Sequence, residues 1–219
     1  QLELPDSQER LVKAAIATGK PVVVVLTSGS AIAANSAAKQ AAALLEAWYG
    51  GEEAGSAIAE TLAGVSNPAG RLPITFYTGA AQLPPFTDYA MKGRTYRYFK
   101  GEPLYPFGFG LSYSTFAYSG LVTQRTARGA EVRATVKNTS ARDGDEVVQL
   151  YVGGGPGPEA PIRNLRGFER IFLHAGESRE VHFTLASSDL PKSSVDVSVG
   201  GGQPLAAVPV VKGTLPAEH

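Results

Sequence analysis

The sequence predicts a multi-domain chain in which a partial α/β sandwich, a parallel sheet with flanking helices, precedes an all-β sandwich. Three observations support this prediction. Apolar runs alternate with helical patterns over residues 1–76, which is typical of parallel sheets covered on both faces. Residues 77–113 are rich in aromatic residues and proline, with little periodicity. Beyond them, short alternating segments are separated by turn residues, as in β-sandwiches.

The composition is that of an ordinary globular protein. Apolar residues make up 43% of the 219 residues and charged residues 18%, and 20 basic residues balance 20 acidic ones. No basic stripe is visible, so neither nucleic acid nor an anionic membrane is expected as a partner. No apolar run reaches the ~18 residues of a transmembrane helix. Cysteine is absent and the three histidines are scattered, so no disulfide, metal site or cofactor is predicted.

Residues 1–76 are predicted to contain three strands and two helices. The first helix begins with a capping box, in which Asp6 is the N-cap and Glu9 lies three residues on, and it ends at Gly19. Its predicted apolar face consists of Leu11, Val12, Ala15 and Ile16. The strands are predicted at residues 21–27, 41–48 and 72–76. The second helix is predicted at about residues 52–62, with Glu52 and Glu53 in its first turn, where the helix dipole favours them.

These elements form an incomplete layer. A doubly wound sheet usually has about five to six strands, so three strands leave an edge and two faces uncovered. We therefore interpret residues 1–76 as the C-terminal half of an α/β sandwich domain, whose remaining strands are supplied from elsewhere.

Residues 77–113 are interpreted as an inter-domain connection. Linkers are usually polar, and this one is not, which favours a connection packed between two domains. The alternative is that part of it forms one wall of a sugar pocket, since aromatic faces stack on the apolar side of pyranose rings.

Residues 114–215 are predicted to form an immunoglobulin-like or fibronectin type III-like sandwich, followed by a tail at 216–219. Inward-facing Val132, Ala134 and Val136 alternate along one strand, and Val148, Leu150 and Val152 along the next. Further strands are predicted at residues 168–173, 179–185 and 195–199, and turns lie between them.

Motifs along nearly the whole chain resemble those of family 3 glycoside hydrolases, the β-glucosidases and β-xylosidases. The most specific run comprises Ala47-Trp48-Tyr49, Gly51-Glu52-Glu53, Ala57-Ile58-Ala59 and Asn67-Pro68-x-Gly70-Arg71-Leu72-Pro73-x-Thr75-Phe76. Similar motifs occur at residues 2–8, 93–99, 104–113, 144–152 and 165–168. Residues 94–99 and 199–204 look more like the β-xylosidases. The chain departs from the family pattern at two positions. Gly50 stands where the family usually has a proline before its glycine, and Ser36 stands where it usually has an aromatic or larger residue.

The resemblance implies the C-terminal portion of an exo-acting retaining β-glycosidase, which hydrolyses terminal β-D-xylosyl or β-D-glucosyl residues of short oligosaccharides. Such enzymes use two carboxylates, a nucleophile and an acid/base. In the family, the nucleophile lies on an N-terminal barrel domain and the acid/base upstream of the motif that begins here at Leu2. Both catalytic carboxylates are therefore expected outside this chain, with the N-terminal barrel portion as its partner. The resemblance also implies a periplasmic or secreted location.

Six residues are candidates for contacts with the oligosaccharide: Trp48, Tyr49, Glu52, Asp88, Arg94 and Tyr96. Trp48 and Tyr49 follow a strand and form either a sugar platform or a buried interface pair. Glu52 starts a helix, where a capping role is the simpler interpretation. Asp88 is expected either to bind a sugar hydroxyl or Arg94, or to be solvated. Arg94 and Tyr96 are expected to bridge domains or to reach the pocket edge.

A different class of function also fits the β-sandwich. It would be a non-catalytic carbohydrate- or protein-binding module, which binds without hydrolysis and has a stable domain from about residue 114 onward. Against this as the whole function, residues 1–76 are expected to expose apolar faces that need a partner.

Overall fold

The computed structural model describes residues 2–205 and 208–218, which group into two compact units. The α/β unit comprises Gln1–Ser66, Ile74–Gly93 and Lys100–Pro106. The β-sandwich unit comprises Asn67–Pro73, Arg94–Phe99 and Phe107–His219. The predicted fold class is confirmed. The units interleave along the chain, and the domain boundaries placed after residues 76 and 113 stay predictions.

The α/β unit is built around two parallel strands. Its elements in chain order are α1 (Asp6–Ala17), β1 (Val23–Leu26), α2 (Asn35–Gln40), β2 (Ala43–Glu46) and α3 (Ala54–Leu62), with a 3₁₀ turn at Ala80–Gln82. Strands β1 and β2 pair in parallel from Val23 opposite Ala43 to Leu26 opposite Glu46. The carboxyl ends of both strands therefore lie at the same edge.

Four details of the sequence prediction are wrong in this unit. Residues 72–76 form no strand, because Phe76 makes only an isolated antiparallel bridge with Tyr105. The capping box does not form: Asp6 is already helical, and the Glu9 carboxylate instead accepts a hydrogen bond from Ser36. The short helix α2 was not anticipated. Helix α3 begins at Ala54, so Glu52 and Glu53 precede its first turn.

Much of the apolar surface of the α/β unit is uncovered. Its buried cluster contains only Leu4, Leu26, Ala34 and Ala37. Neither α1 nor α3 has a buried residue. Large apolar side chains remain exposed at Leu11 on α1, Val23 on β1, Leu62 on α3 and Val65 just beyond α3. The exposure of Leu11 contradicts its predicted inward position. The uncovered faces agree with the prediction that this layer is incomplete.

The β-sandwich unit contains two antiparallel sheets. Its strands are β3 (Phe116–Thr126), β4 (Gly129–Asn138), β5 (Gly144–Gly153), β6 (Arg163–Leu173), β7 (Ser178–Ala186), β8 (Val195–Gly200) and β9 (Val210–Leu215). One sheet has the order β3-β4-β7 and the other β6-β5-β8-β9. A one-turn helix, α4 (Thr95–Tyr98), and a 3₁₀ turn at Ser187–Asp189 complete the unit. The sequence prediction missed β9.

The two sheets enclose a continuous hydrophobic core. The predicted inward residues of β4 and β5 are all 1% exposed or less and belong to this core. Strand β5 also buries Gln149 and Tyr151 on its opposite face, and Glu146 near its start. Arg71, Tyr96 and Gly108 bond to or stack on these three side chains, and Tyr118 and Gly201 supply further hydrogen bonds. The segments from residues 67–73 and 94–99 are thus part of this unit.

Within the described residues, no helix is both long and apolar enough to cross a membrane.

Candidate functional site

The carboxyl ends of β1 and β2 carry a compact set of polar and aromatic side chains. Glu46 is the last residue of β2, and Ser28 lies two residues beyond β1. The Ser28 hydroxyl donates to the carbonyl oxygen of Ser30 (2.8 Å) and lies 3.3 Å from both carboxylate oxygens of Glu46. This edge of a parallel sheet is where open α/β folds bind ligands.

Trp48 adopts an unusual backbone conformation at this edge. Its φ angle is +53°, in the left-handed region that costs a non-glycine residue about 1–2 kcal/mol. The Trp48 N–H donates to Oε1 of Glu46 at 3.0 Å. Its half-buried ring packs edge-on against Phe76, with the ring centroids 6.1 Å apart. Backbone and side chain are therefore both held in place.

Tyr49 projects outward beside Trp48, with 78% of its surface exposed. Its ring lies over the backbone of Gly29, where a Cβ atom would come within 2.8 Å of the ring. The following turn is equally tight, because a Cβ atom at Gly50 would overlap the Cβ of Ala54. Glycine at both positions allows the aromatic pair to sit directly on the strand ends. The departure from the family pattern at Gly50 falls within this turn.

Glu46 is a half-buried acid at this edge of the sheet. Desolvation raises the pKa of the Glu46 carboxyl, and the hydrogen bonds from Trp48 and Ser28 partly oppose that rise. Sequence analysis did not single out this residue. The signal was present, since Glu46 is a lone carboxylate at the end of an apolar strand, two residues before Trp48.

The predicted acidic candidates lie elsewhere in the α/β unit. Glu52 is exposed in the turn before α3. Asp88 is exposed, and its Oδ1 accepts a hydrogen bond from the Ala90 N–H at 2.8 Å, which shapes its own turn. A contact of either residue with sugar stays a prediction, as does the pairing of Asp88 with Arg94.

The other two candidates belong to the β-sandwich unit. Arg94 is half-buried immediately before α4. Tyr96 lies within α4 and stacks on Phe107 at 4.3 Å between ring centroids. Its hydroxyl accepts a hydrogen bond from the Leu165 N–H at 3.1 Å. Tyr96 therefore fastens α4 to β6, and a role of Tyr96 in substrate binding stays a prediction.

A buried ion pair anchors residues 67–73 to the β-sandwich. The Arg71 guanidinium donates to Oε2 of Glu146 at 2.9 Å, and these side chains are 9% and 3% exposed. Tyr118 donates to the other carboxylate oxygen at 2.8 Å, and Arg71 also donates to the carbonyl oxygen of Gly201. Burial raises the pKa of Glu146, while Arg71 and Tyr118 oppose the rise. The sequence prediction placed this segment in the α/β layer, with a strand beginning at Leu72.

The described residues contain no group of three or more His, Asp or Glu side chains that is placed to hold a metal ion.

Solved structures share this fold along the whole chain. β-Glucosidase 3B from Thermotoga neapolitana in complex with α-D-glucose aligns with a TM-score of 0.87 and 29% identity, covering 100% of this chain and 34% of that one. The β-D-glucoside glucohydrolase from Trichoderma reesei aligns with a TM-score of 0.86 and 25% identity, covering 99% and 36%. The fold of this chain is therefore the fold of about one third of these two β-glucosidases.

Sequence comparison gives the family. Residues 1–113 match the glycosyl hydrolase family 3 C-terminal domain, and residues 146–200 match the fibronectin type III-like domain. The chain therefore belongs to glycoside hydrolase family 3, and the resemblance of its motifs is confirmed.

Two relatives show how much of a family member the chain represents. A xylan 1,4-β-xylosidase of Xylanibacter ruminicola is 43% identical, over 86% of this chain and 22% of the relative. A periplasmic β-glucosidase of Salmonella typhimurium is 40% identical, over 84% of this chain and 26% of the relative. The chain spans about a quarter of the length of these relatives, so that it corresponds to a portion of a larger enzyme.

Proposed function

We propose that this chain is the C-terminal portion of an exo-acting retaining β-glycosidase, which releases terminal β-D-xylosyl or β-D-glucosyl residues from short oligosaccharides. Both catalytic carboxylates would lie in the N-terminal barrel portion and the first half of the α/β sandwich, outside this chain. The names of the two relatives support the xylosyl and glucosyl alternatives. The periplasmic relative supports a periplasmic or secreted location.

One structural observation carries the proposal: the α/β unit exposes the apolar faces that a complete sandwich domain would cover. Burying apolar surface is worth about 25 cal/mol per Å², so the uncovered helices and β1 gain stability when the missing strands pack on them. The same surface argues against a free-standing binding module, which would leave these side chains in water.

The proposed role of the chain within the enzyme is to shape one wall of the sugar site. Trp48 and Tyr49 are proposed to contact the oligosaccharide, because aromatic faces stack on pyranose rings and the pair lies at the ligand-binding edge of the sheet. Glu52, Asp88, Arg94 and Tyr96 are proposed as further contacts or as residues that support the wall.

Hydrolysis of chromogenic β-xyloside and β-glucoside tests this proposal. The chain is assayed alone, together with the N-terminal portion of the Xylanibacter ruminicola relative, and against that N-terminal portion alone. We expect hydrolysis only from the mixture, with the ratio of the two rates reporting the preferred sugar. Hydrolysis by the chain alone would refute the placement of the carboxylates. Oligosaccharide binding by residues 114–219, with no hydrolysis from any mixture, would favour the binding module.

A further inference from the structure

We infer that Glu46 is a positioning residue, which holds Trp48 in its left-handed conformation and thereby sets the aromatic pair Trp48–Tyr49 at the carboxyl ends of β1 and β2. As a statement about the sugar site, this inference rests on the proposed function. As a statement about Trp48, it rests on the geometry alone.

The first step is the strain at Trp48. A tryptophan at φ +53° persists only where its surroundings hold it there. The strand ladder ends just before it, since the last ladder bond in this region runs from the Ala47 N–H to the carbonyl oxygen of Leu26. The next N–H, that of Trp48, turns away from β1 and donates to Glu46. A side chain from two residues earlier thus takes the place of the neighbouring strand.

The second step is the fixing of Glu46 itself. Its carboxylate is half-buried and lies next to the Ser28 hydroxyl. The Ser28 hydroxyl donates to the Ser30 carbonyl oxygen at 2.8 Å and more weakly to the Glu46 carboxylate oxygens, which are both 3.3 Å away. A glutamine in its place keeps a side-chain oxygen that accepts from the Trp48 N–H, and its amide N–H can donate to the Ser28 oxygen.

The third step links the backbone of Trp48 to the rings. Changing φ at Trp48 swings the Trp48 ring away from Phe76 and moves Tyr49 off the backbone of Gly29. The position of the Tyr49 ring depends on glycine at position 29, because a Cβ atom there would come within 2.8 Å of the ring. Glu46 therefore controls both rings through one hydrogen bond, without touching a ligand that stacks on them.

The test compares Glu46→Gln, which keeps an acceptor, with Glu46→Met, which keeps the length and removes it. Glu102→Gln, an exposed acid in the same unit, is the matched control. Trp48 is the only tryptophan in the 219-residue chain, so its emission and its quenching by acrylamide report its environment directly. We expect Glu46→Met to shift the emission to longer wavelength and to increase quenching, while Glu46→Gln and Glu102→Gln resemble the wild type.

Unchanged emission in Glu46→Met would overturn the inference. An equal shift in Glu46→Gln would also overturn it, because it would show that the negative charge of Glu46, and not its hydrogen bond, positions Trp48. If Glu46→Met is unfolded at the assay temperature, Ser28→Ala is measured instead, because it removes a hydrogen bond to the same carboxylate. We expect Ser28→Ala to shift the Trp48 emission to longer wavelength by a smaller amount. The absence of any shift would overturn the inference.

Kinetics on the assembled enzyme link the positioning to substrate. We expect Glu46→Met to raise KM for a xylo- or gluco-oligosaccharide by about tenfold with little change in kcat, and Glu46→Gln to raise it by less than about threefold. In a Trp48→Gly background, Glu46→Met should add nothing, because its effect acts through Trp48. If the effects of Glu46→Met and Trp48→Gly on KM were additive, Glu46 would not act through Trp48. An assembled wild-type enzyme without hydrolysis would overturn the proposed function, and the fluorescence result would stand.

Discussion

At the scale of single residues, two pairs of residues illustrate how buried or strained groups are stabilised. Glu46 accepts a hydrogen bond from the strained backbone of Trp48, two residues further along the chain. Arg71 and Glu146, which are 75 residues apart in the sequence, neutralise each other as a buried ion pair. The sequence shows only that an acid precedes an aromatic residue by two positions, and the bond itself depends on the backbone angle of Trp48. The distant pair could not be recognised in the sequence, because the contact exists only after the chain has folded back onto β5.

Arg71→Met is predicted to destabilise the β-sandwich unit. Removal of the guanidinium leaves the Glu146 carboxylate buried without its counter-charge, and breaking such a pair typically costs about 3–5 kcal/mol. Urea unfolding followed by circular dichroism measures the loss. The exposed pair of Arg179 and Glu177 provides the control, since Arg179→Met should cost less than about 1 kcal/mol. A double variant, Arg71→Met with Glu146→Gln, should recover part of the stability, and equal losses at both arginines would contradict this account.

His174 and Asp143 form a surface pair with a defined pH dependence. The Asp143 carboxylate accepts from the imidazole at 2.9 Å, which raises the pKa of His174 and lowers that of Asp143. The stabilisation by His174 is full below about pH 6.5 and is lost as the pH rises through its folded pKa. The contribution of Asp143 is full above about pH 4 and is lost as the pH falls through its folded pKa.

Asp143→Asn is therefore predicted to lower the pKa of His174 toward its ordinary value. Titration of the His174 ring protons by NMR measures the change. Glu180→Gln, which removes the acid beside His182 instead, should leave the titration of His174 as in the wild type. A His174 titration that is the same in Asp143→Asn would show that the pair does not form in solution.

At the scale of elements, the segment of residues 67–73 lies close against residues 107–113. The Leu72 N–H donates to the carbonyl oxygen of Phe109, and the Gly108 N–H donates to that of Leu72. The motif Asn67-Pro68-Ala69-Gly70-Arg71-Leu72-Pro73 thus functions as a brace on the β-sandwich. The sequence prediction of a strand at residues 72–76, which begin within this motif, was wrong. Hydrophobic periodicity and strand propensity do not distinguish a strand from an extended segment without a strand partner.

Gly110→Ala is predicted to displace this brace. A Cβ atom at Gly110 would overlap the carbonyl oxygen of Gly70, and backbone cannot move aside as a flexible side chain can. Gly70→Ala, on the other side of the same contact, meets nothing within 4 Å and is the control. We expect the first variant to lose at least about 2 kcal/mol in urea unfolding and the second less than about 1 kcal/mol. Equal stabilities would show that the two segments are not in contact.

The extent of the β-sandwich unit gives a related prediction at this scale. A fragment of residues 114–219 lacks Arg71, Gly108 and Tyr96, which bond to Glu146, bond to Gln149 and stack on Tyr151, respectively. A fragment of residues 67–219 retains those partners. Thermal unfolding should therefore show a higher melting temperature for the longer fragment. A shorter fragment that melts at the same temperature would support the domain boundary predicted from the sequence at residue 114.

At the scale of the whole molecule, the two units differ in how much core each one contains. Among the residues that the structure describes, the β-sandwich unit buries eighteen hydrophobic residues in one cluster, whereas the cluster of the α/β unit contains four. Since stability follows the apolar area removed from water, the α/β unit depends on what packs against its exposed faces. This dependence is the physical basis for regarding the chain as a portion of a larger enzyme.

Hydrogen exchange on the isolated chain tests this difference. Backbone amides in β1 and β2 should exchange much faster than those in β4 and β5, because local opening of the small core requires little free energy. Addition of the N-terminal portion of a relative should slow exchange in β1 and β2 and leave β4 and β5 nearly unchanged. Equal protection in both units, before any addition, would contradict the view that the α/β unit is incomplete.

The sequence by itself determined the fold class, the family and the incompleteness of the first layer, because these depend on local period, composition and motif order. Alternation along β4 and β5 and the apolar run of β1 can be recognised without knowledge of any long-range contact. Only the tertiary structure decided where residues 67–73 pack, that Glu46 holds Trp48, and that Tyr96 bonds to β6. Each of these depends on hydrogen bonds or burial that arise when residues distant in sequence, or backbone angles outside the regular elements, are brought to one place.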